Sequence, residues 1–129
     1  MNARKIVDRN CSWSPSFDET SFVSVLHERG IWDREQYWML EWALFDLIST
    51  GDVDADLCAS VFQIFSYTLG SISSHLDPND LFEIINFQRD DVYAFRERIR
   101  LVFEGFFVKR MPRNASFDEV NPLLPKDAS

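Results

Sequence analysis

The sequence predicts an all-α protein: a compact bundle or orthogonal array of four or five helices, formed by residues 1–129 as a single domain. Three observations support this prediction. Apolar residues recur at helical spacing in several segments, and helix-capping residues stand where those segments begin. The composition, 46% hydrophobic and 15% aromatic, is that of a folded chain. A domain of this length can bury roughly two-thirds of its unfolded surface, so it needs no metal or disulfide to fold.

The two ends of the chain are predicted to be less regular than the middle. Residues 1–15 are expected to form an N-terminal arm, in which Ile6 and Val7 could pair as a short strand, and Ser14-Pro15 would end any element. Residues 112–129 contain three of the five prolines, which favours an extended C-terminal tail.

Capping residues place the first predicted helix. Ser16 and Glu19 have the spacing of a capping box, in which the serine caps the helix and the glutamate reaches back to the serine backbone. Phe22, Val25 and Leu26 follow at helical spacing. Gly30 supplies the left-handed residue that commonly ends a helix.

The second predicted helix has the clearest boundaries. It begins at the cap residue Asp33, runs from about Arg34 to Ser49 and stops at Gly51. Trp32 before the cap and Tyr37 after it are spaced to pack on each other as a hydrophobic staple.

The second half of the chain predicts two further long helices and a short one. After a turn at residues 52–56, one helix carries an apolar stripe, and Gly70 is a point where it would bend or split. Asp77-Pro78 is predicted to restart a short helix, with residues 81–87 buried. Asp90 or Asp91 would cap the last helix, which Met111-Pro112 ends. The two predicted buried stripes are Cys58, Val61, Phe62, Phe65, Leu69, Ile72 and Leu76, then Val92, Phe95, Ile99, Val102, Phe103 and Phe106.

The charge is acidic and uneven. The net charge is −8; residues 14–91 hold 15 acidic and 3 basic residues, a net charge of −12, whereas residues 92–113 hold 2 acidic and 6 basic residues. Such a surface repels phosphate, which argues against nucleic-acid binding and favours a basic protein partner. The alternative is that the acidity only keeps the protein soluble.

The sequence indicates a cytoplasmic protein without a membrane span. It has no run of 18 apolar residues, no apolar stretch after its first charged residues and only two cysteines, Cys11 and Cys58. We therefore expect no contact with membranes.

No motif of catalysis or metal binding is complete. Asp52, Asp54 and Asp56 begin like a calcium loop, but Leu57 and Gln63 stand where the loop needs glycine and glutamate. These acids also suit the positive N-terminus of the helix that follows. His27 and His75 lack a second ligand at helical spacing. We expect no metal, no cofactor and no enzymatic activity.

The outer face of the second helix is the candidate partner-binding site. Its core stripe is predicted to be Tyr37, Leu40, Leu44, Leu47 and Ile48, and the opposite face carries Glu35, Trp38, Trp42, Phe45, Asp46 and Ser49. Two explanations fit a tryptophan placed opposite the core: the helix is central and covered on both sides, or Trp42 anchors an interface. The predicted partner-binding residues are Glu35, Trp42, Asp46, Asp52, Asp54 and Asp56.

The chain resembles bacterial toxin-immunity proteins, the class that protects cells from contact-dependent growth inhibition and other polymorphic toxins. The resemblance rests on Ile31-Trp32-Asp33, Tyr37-Trp38, Glu41-Trp42 and Thr50-Gly51-Asp52. It implies a tight one-to-one complex with a toxin domain, frequently a nuclease, whose basic groove an acidic surface could occupy. It assigns no binding residues.

Three functions therefore compete at the level of sequence. The first is an immunity protein that neutralises a basic toxin domain. The second is another non-catalytic interaction module, such as a regulatory subunit or adaptor. The third is a small enzyme that uses His27 or His75 with nearby carboxylates.

Overall fold

The computed structural model describes residues 1–125 and shows five α-helices and a short 3₁₀ helix, with no strand in that range. The helices are α1 (Ala3–Asn10), α2 (Phe22–Arg29), α3 (Arg34–Thr50), α4 (Ala55–Leu76) and α5 (Arg89–Val108); the 3₁₀ helix is Asn114–Ser116. The prediction of an all-α array is confirmed.

The helices α3 and α4 form the two sides of the molecule. Each of them packs against α1, α2 and α5. The two do not pack against each other, although they follow one another in the chain. One hydrophobic core lies between them, centred on side chains with almost no exposure to solvent. Its largest members include Phe22, Trp32, Tyr37, Phe103 and Phe106.

The N-terminal segment is a helix, so the prediction of a strand at Ile6 and Val7 is wrong. Asn2 caps α1 by accepting a hydrogen bond from the backbone N–H of Lys5. Ile6 and Val7 are both buried in the core. In so short a segment a pair of apolar residues fits either a strand or one helical turn, and burial against α3 selected the helix.

The start of α2 also differs from the prediction. Ser21, not Ser16, caps the helix, with its hydroxyl accepting from the N–H of Ser24. Residues 14–20 form turns instead, held by Asp18, whose carboxylate accepts from both the backbone and the side chain of Thr20. The predicted stop is confirmed, because Gly30 has the left-handed φ of 64°.

The boundaries of α3 are confirmed at both ends. The Asp33 carboxylate accepts from the N–H of Gln36, and Gly51 ends the helix with a φ of 76°. The rings of Trp32 and Tyr37 lie 5.5 Å apart between centroids, as the predicted staple requires.

The helix α4 is continuous through Gly70, and its buried face is rotated from the predicted one. Leu57, Ile64 and Thr68 are buried, whereas Phe62 is 59% exposed. Of the predicted stripe, Val61 and Ile72 are buried and Cys58, Phe65, Leu69 and Leu76 are only partly buried. The helix is apolar over so much of its circumference that periodicity alone leaves its orientation ambiguous.

No helix restarts at Asp77-Pro78. Asp77 ends α4, and residues 77–88 form a loop that leaves Leu81 and Ile85 exposed while burying Ile84 and Phe87. The predicted burial of residues 81–87 is therefore wrong for part of the segment.

The helix α5 buries the face that was predicted. All six residues of its stripe, Val92, Phe95, Ile99, Val102, Phe103 and Phe106, are buried. Its cap differs, because Gln88 is the cap residue and Asp91 closes the capping box from the third position. The helix stops at Val108, before the predicted Met111-Pro112, with Lys109 in the left-handed conformation.

Residues 112–125 of the predicted tail cross the protein surface with only the 3₁₀ helix as regular structure. They are anchored by Asn114 and Asn121, which are both 1% exposed. The remainder of the predicted tail, residues 126–129, lies outside the described range.

Candidate functional site

The most unusual polar feature is a buried ion pair between Glu41 of α3 and Arg98 of α5. The guanidinium donates to both carboxylate oxygens, over 2.8 and 2.9 Å. The two side chains are 0% and 5% exposed. Tyr37 donates to the same carboxylate over 3.1 Å and Asn121 over 2.9 Å, so the glutamate is fully engaged.

The surroundings of this pair raise the pKa values of Tyr37 and Arg98. Burial, together with the charge of Glu41, raises the pKa of Tyr37 well above its ordinary value, so the phenol remains a donor. Burial would by itself lower the pKa of Arg98, but the hydrogen bonds and charge of Glu41 reverse this and raise it. The cluster is thus a fixed polar contact, in which Tyr37, Arg98 and Asn121 all donate to Glu41.

Arg98 also joins α5 to the C-terminal segment. Its guanidinium lies between the rings of Trp38 and Phe117, 4.7 and 4.2 Å from their centroids, and it donates to the backbone carbonyl of Glu119. A groove of about 550 Å³ opens beside it, lined by Ala94, Phe95, Glu97, Leu101 and residues 116–119. Because Arg98 is already bound to Glu41, this groove does not offer an unpaired cation to a ligand.

Trp42 and Asp46 of the predicted site lie in a second groove of about 550 Å³. Residues 109–111 and 124–125 form its other wall. Trp38 and Phe45, on the same outer face of α3, are buried, so the helix is covered on both sides. A central helix covered on both sides is the first of the two explanations given for Trp42. The Trp42 indole is nevertheless only partly buried and lines an open groove.

Asp52 and Asp54 line a separate hollow of about 410 Å³ at the turn between α3 and α4, together with Arg4. Asp54 caps α4 by accepting from the N–H of Leu57 over 2.8 Å, and it lies 3.6 Å from the Arg4 guanidinium. These interactions, the hydrogen bond first, lower the pKa of Asp54. Asp56 is exposed in the first turn of α4.

Glu35 stands apart from the other predicted residues. It is exposed in the first turn of α3, about 24 Å along the helix axis from Gly51 at a rise of 1.5 Å per residue. The structure therefore places the six predicted residues in three locations: the groove at Trp42, the α3–α4 turn, and the start of α3.

Most acids of residues 14–91 are exposed and have no ion-pair partner. Of the 15 acidic residues in this range, 5 lie within 4.0 Å of a basic group in residues 1–125. The other ten are Glu19, Asp33, Glu35, Asp46, Asp52, Asp56, Asp77, Asp80, Glu83 and Asp90. This part of the surface therefore presents carboxylates without neighbouring cations to neutralise them.

The loop 77–88 carries a group of these acids that is not among the predicted binding residues. Asp77, Asp80 and Glu83 are exposed there beside Leu81, which is fully exposed. The loop is held in place at its C-terminal half, where Asn86 exchanges two hydrogen bonds with the backbone of Trp32. The sequence signal for this loop was the run Asp77-Pro78-Asn79-Asp80, which has the composition of a turn.

The histidines and cysteines do not form a catalytic arrangement in the described part of the chain. His27 is exposed and lies 3.9 Å from Glu28. His75 accepts a hydrogen bond at Nδ1 from the backbone N–H of Ile84, so this nitrogen serves the fold. Cys11 is buried and Cys58 partly buried, and both are free. Residues 1–125 contain no group of three or more metal-binding side chains.

Comparison of the chain with protein-family models, curated proteins and solved structures yields no match. Within residues 1–125, no helix is both long enough and apolar enough to cross a membrane.

Proposed function

We propose that this protein is a non-catalytic immunity protein that binds and neutralises a basic toxin domain, such as a nuclease. The observation that carries the proposal is the acidic surface: ten carboxylates of residues 14–91 have no ion-pair partner in the described structure. The potential of unpaired carboxylates attracts a positively charged partner and accelerates its association.

Inhibition would follow from competition for the same groove. A nuclease keeps a basic cleft for the phosphates of its substrate, and carboxylates held on a folded scaffold can occupy that cleft in their place. Helices α3 and α4 hold part of this set in position, because Asp46 lies on α3 and Asp56 lies in the first turn of α4. Asp54, which is paired with Arg4, is fixed beside them as the cap of α4. A surface that is already ordered loses little conformational entropy on binding.

The proposed contact surface is the part of α3 and α4 that holds Asp46, Asp52, Asp54 and Asp56, with Trp42 as its aromatic anchor. The groove at Trp42 also contains Lys109 and Arg110, so the partner there would meet mixed charge instead of acids alone. Glu35 belongs to the same contact only if the partner extends along the whole of α3.

A growth experiment tests the function directly. A toxin domain encoded beside this gene is expressed with and without the present chain, and growth and complex formation are measured. We expect the chain to restore growth and to form a one-to-one complex by native mass spectrometry. Growth arrest that persists while both proteins accumulate would overturn the proposal. A complex with a non-toxic protein encoded beside the gene would support a regulatory or adaptor role instead.

Two histidine variants separate binding from catalysis. His27→Ala and His75→Ala remove the side chains on which a histidine mechanism would depend. If protection results from binding, both variants should protect cells fully as long as they fold. Loss of protection by a variant that still folds and still binds the toxin domain would indicate catalysis. Folding must be checked for His75→Ala in particular, because His75 accepts from Ile84.

A further inference from the structure

The outer face of α4 is unusual because it is exposed and nearly free of charge. Phe62, Ser66 and Gly70 follow at intervals of four residues and therefore share one face of the helix, together with Ala59 and Ser73. All five are exposed, and Phe62 is 59% exposed. Three partly buried apolar residues border this face: Cys58, Phe65 and Leu69.

The other four helices all expose charged side chains, among them Lys5 of α1, Glu28 of α2, Glu35 of α3 and Glu97 of α5. In the 22 residues of α4 the only acid is Asp56, in the first turn, and there is no lysine or arginine. A basic partner would gain nothing electrostatic from this face. A second copy of the chain, which repels its twin through a net charge of −8, would meet the least repulsion here.

No contact within residues 1–125 explains the glycine at position 70. It lies inside a continuous helix without a positive φ, and no atom of another described segment lies within 4 Å of the position that a Cβ would take. A glycine in the interior of a helix lowers the stability of the helix relative to alanine. Gly70 leaves a notch on the exposed face of α4. This notch lies about two helical turns from the exposed ring of Phe62.

Phe62 and Gly70 are equally distant from Ser66 along the helix. If two α4 helices pack antiparallel with a two-fold axis beside Ser66, Phe62 of each chain lies level with Gly70 of the other. The large side chain then fits the notch, and both contacts form at once because the interface is self-complementary.

We propose that the protein forms a two-fold symmetric homodimer through the outer faces of α4. The helix is about 33 Å long and 10–12 Å wide, so the face buries roughly 400 Å² per chain. The total of roughly 800 Å² is below the range of stable specific interfaces, so the dimer is weak and transient. We expect a Kd on the order of 100 μM.

Sedimentation equilibrium of the protein alone tests the dimer. The average mass should rise from the monomer value of 15.1 kDa toward twice that value as the concentration increases from about 10 μM to 1 mM. Phe62→Glu should weaken association at least about tenfold. Leu81→Glu is the matched control, since it adds the same charge at a fully exposed apolar residue on another surface, and it should leave the Kd nearly unchanged. A protein that stays monomeric at 1 mM, or a Phe62→Glu protein that dimerises like the wild type, would overturn the proposal.

Cysteine cross-linking tests the direction of packing. In a Cys58→Ser background, Ser66→Cys lies next to the two-fold axis and should form an intermolecular disulfide rapidly under mild oxidation, because the two Cα atoms can approach within about 7 Å. Ala59→Cys alone should cross-link poorly, but it should do so readily when mixed with Ser73→Cys, since residues 59 and 73 are equally far from Ser66. Efficient cross-linking of Ala59→Cys with itself would indicate parallel packing and would overturn the proposed geometry.

Discussion

At the scale of single residues, the pair Glu41–Arg98 is the contact whose loss should cost most. Each partner is almost inaccessible to solvent, so removing one leaves a charge buried without its counterpart. The exposed pair Glu97–Arg100 offers a direct comparison, because both of its side chains are more than half exposed. An exposed pair is screened by water and contributes little.

We predict that Arg98→Met lowers the free energy of unfolding by about 3–5 kcal/mol, because Glu41 is left as an uncompensated buried charge. The double variant Glu41→Leu/Arg98→Met should recover part of that loss, since neither charge remains. Arg100→Met, the exposed control, should change stability far less, because water screens this pair. Urea denaturation measures all three. Equal effects of Arg98→Met and Arg100→Met would contradict the prediction.

Tyr37, in the same cluster, should make the free energy of unfolding depend on pH in the alkaline range. Its pKa in the folded protein is raised, mainly by burial and then by the charge of Glu41, so the folded state favours the neutral phenol. The unfolded chain releases this proton near pH 10, the pKa of an exposed tyrosine. The stabilisation that the neutral Tyr37 phenol contributes is therefore fully present below pH 10. It is lost as the pH rises from 10 toward the pKa of Tyr37 in the folded protein.

We predict that the free energy of unfolding decreases above about pH 10 and that Tyr37→Phe removes part of this decrease. The variant loses the hydrogen bond to Glu41, so it should be less stable at pH 8 and should approach the wild type as the pH rises. Denaturation curves at pH 8, 9, 10 and 11 provide the measurement. Parallel pH profiles of the two proteins would show that Tyr37 is not the responsible group.

At the scale of elements, two glycines that both lack neighbours should respond in opposite ways to alanine. In residues 1–125, no atom of another segment lies within 4 Å of the position that a Cβ would occupy at Gly51 or at Gly70. They differ in backbone conformation, because Gly51 ends α3 with a φ of 76° whereas Gly70 lies inside α4.

We predict that Gly70→Ala raises the free energy of unfolding by about 0.5–1 kcal/mol, through the better helix propensity of alanine. Gly51→Ala should lower it by about 1–2 kcal/mol, because a side chain is strained in the left-handed region. Thermal denaturation at about 5 μM, below the expected dimer Kd, isolates the monomer. A destabilised Gly70→Ala protein would mean that α4 does not tolerate a side chain at this position.

At the scale of the whole molecule, the net charge of −8 should make salt act in opposite directions on binding of a basic partner and on pairing of two copies of the chain. Binding of a basic partner depends on attraction between opposite charges, which salt screens. Pairing of two copies through the neutral face of α4 is opposed by the charge on the remainder of each chain, and salt screens that repulsion as well.

We predict that raising the salt concentration from about 50 to 500 mM slows association with the toxin domain and strengthens the homodimer. Reversing Asp52, Asp54 and Asp56 to lysine should also slow association with the toxin domain.

Trp42→Ala should mainly accelerate dissociation of the complex with the toxin domain. Stopped-flow kinetics and sedimentation equilibrium give the two dependences. Homodimer affinity that falls with salt would contradict a neutral interface.

The sequence by itself determined the elements whose signals are local. Asp33 and Gly51 set the bounds of α3, because a side-chain cap and a left-handed glycine act within a few residues of the chain. The buried stripe of α5 was equally predictable, since its polar and apolar faces are distinct. The acidic character of the surface also follows from composition alone.

Only the tertiary structure decided how ambiguous segments face their neighbours. The apolar α4 could bury several faces, and packing against α1, α2 and α5 left Phe62 outside. Trp42 lines an open groove because the C-terminal segment packs beside α3, which no local pattern in the sequence indicates. The pairing of Glu41 with Arg98, 57 residues apart in the chain, arises only when α3 and α5 meet, since no local pattern relates residues at that distance.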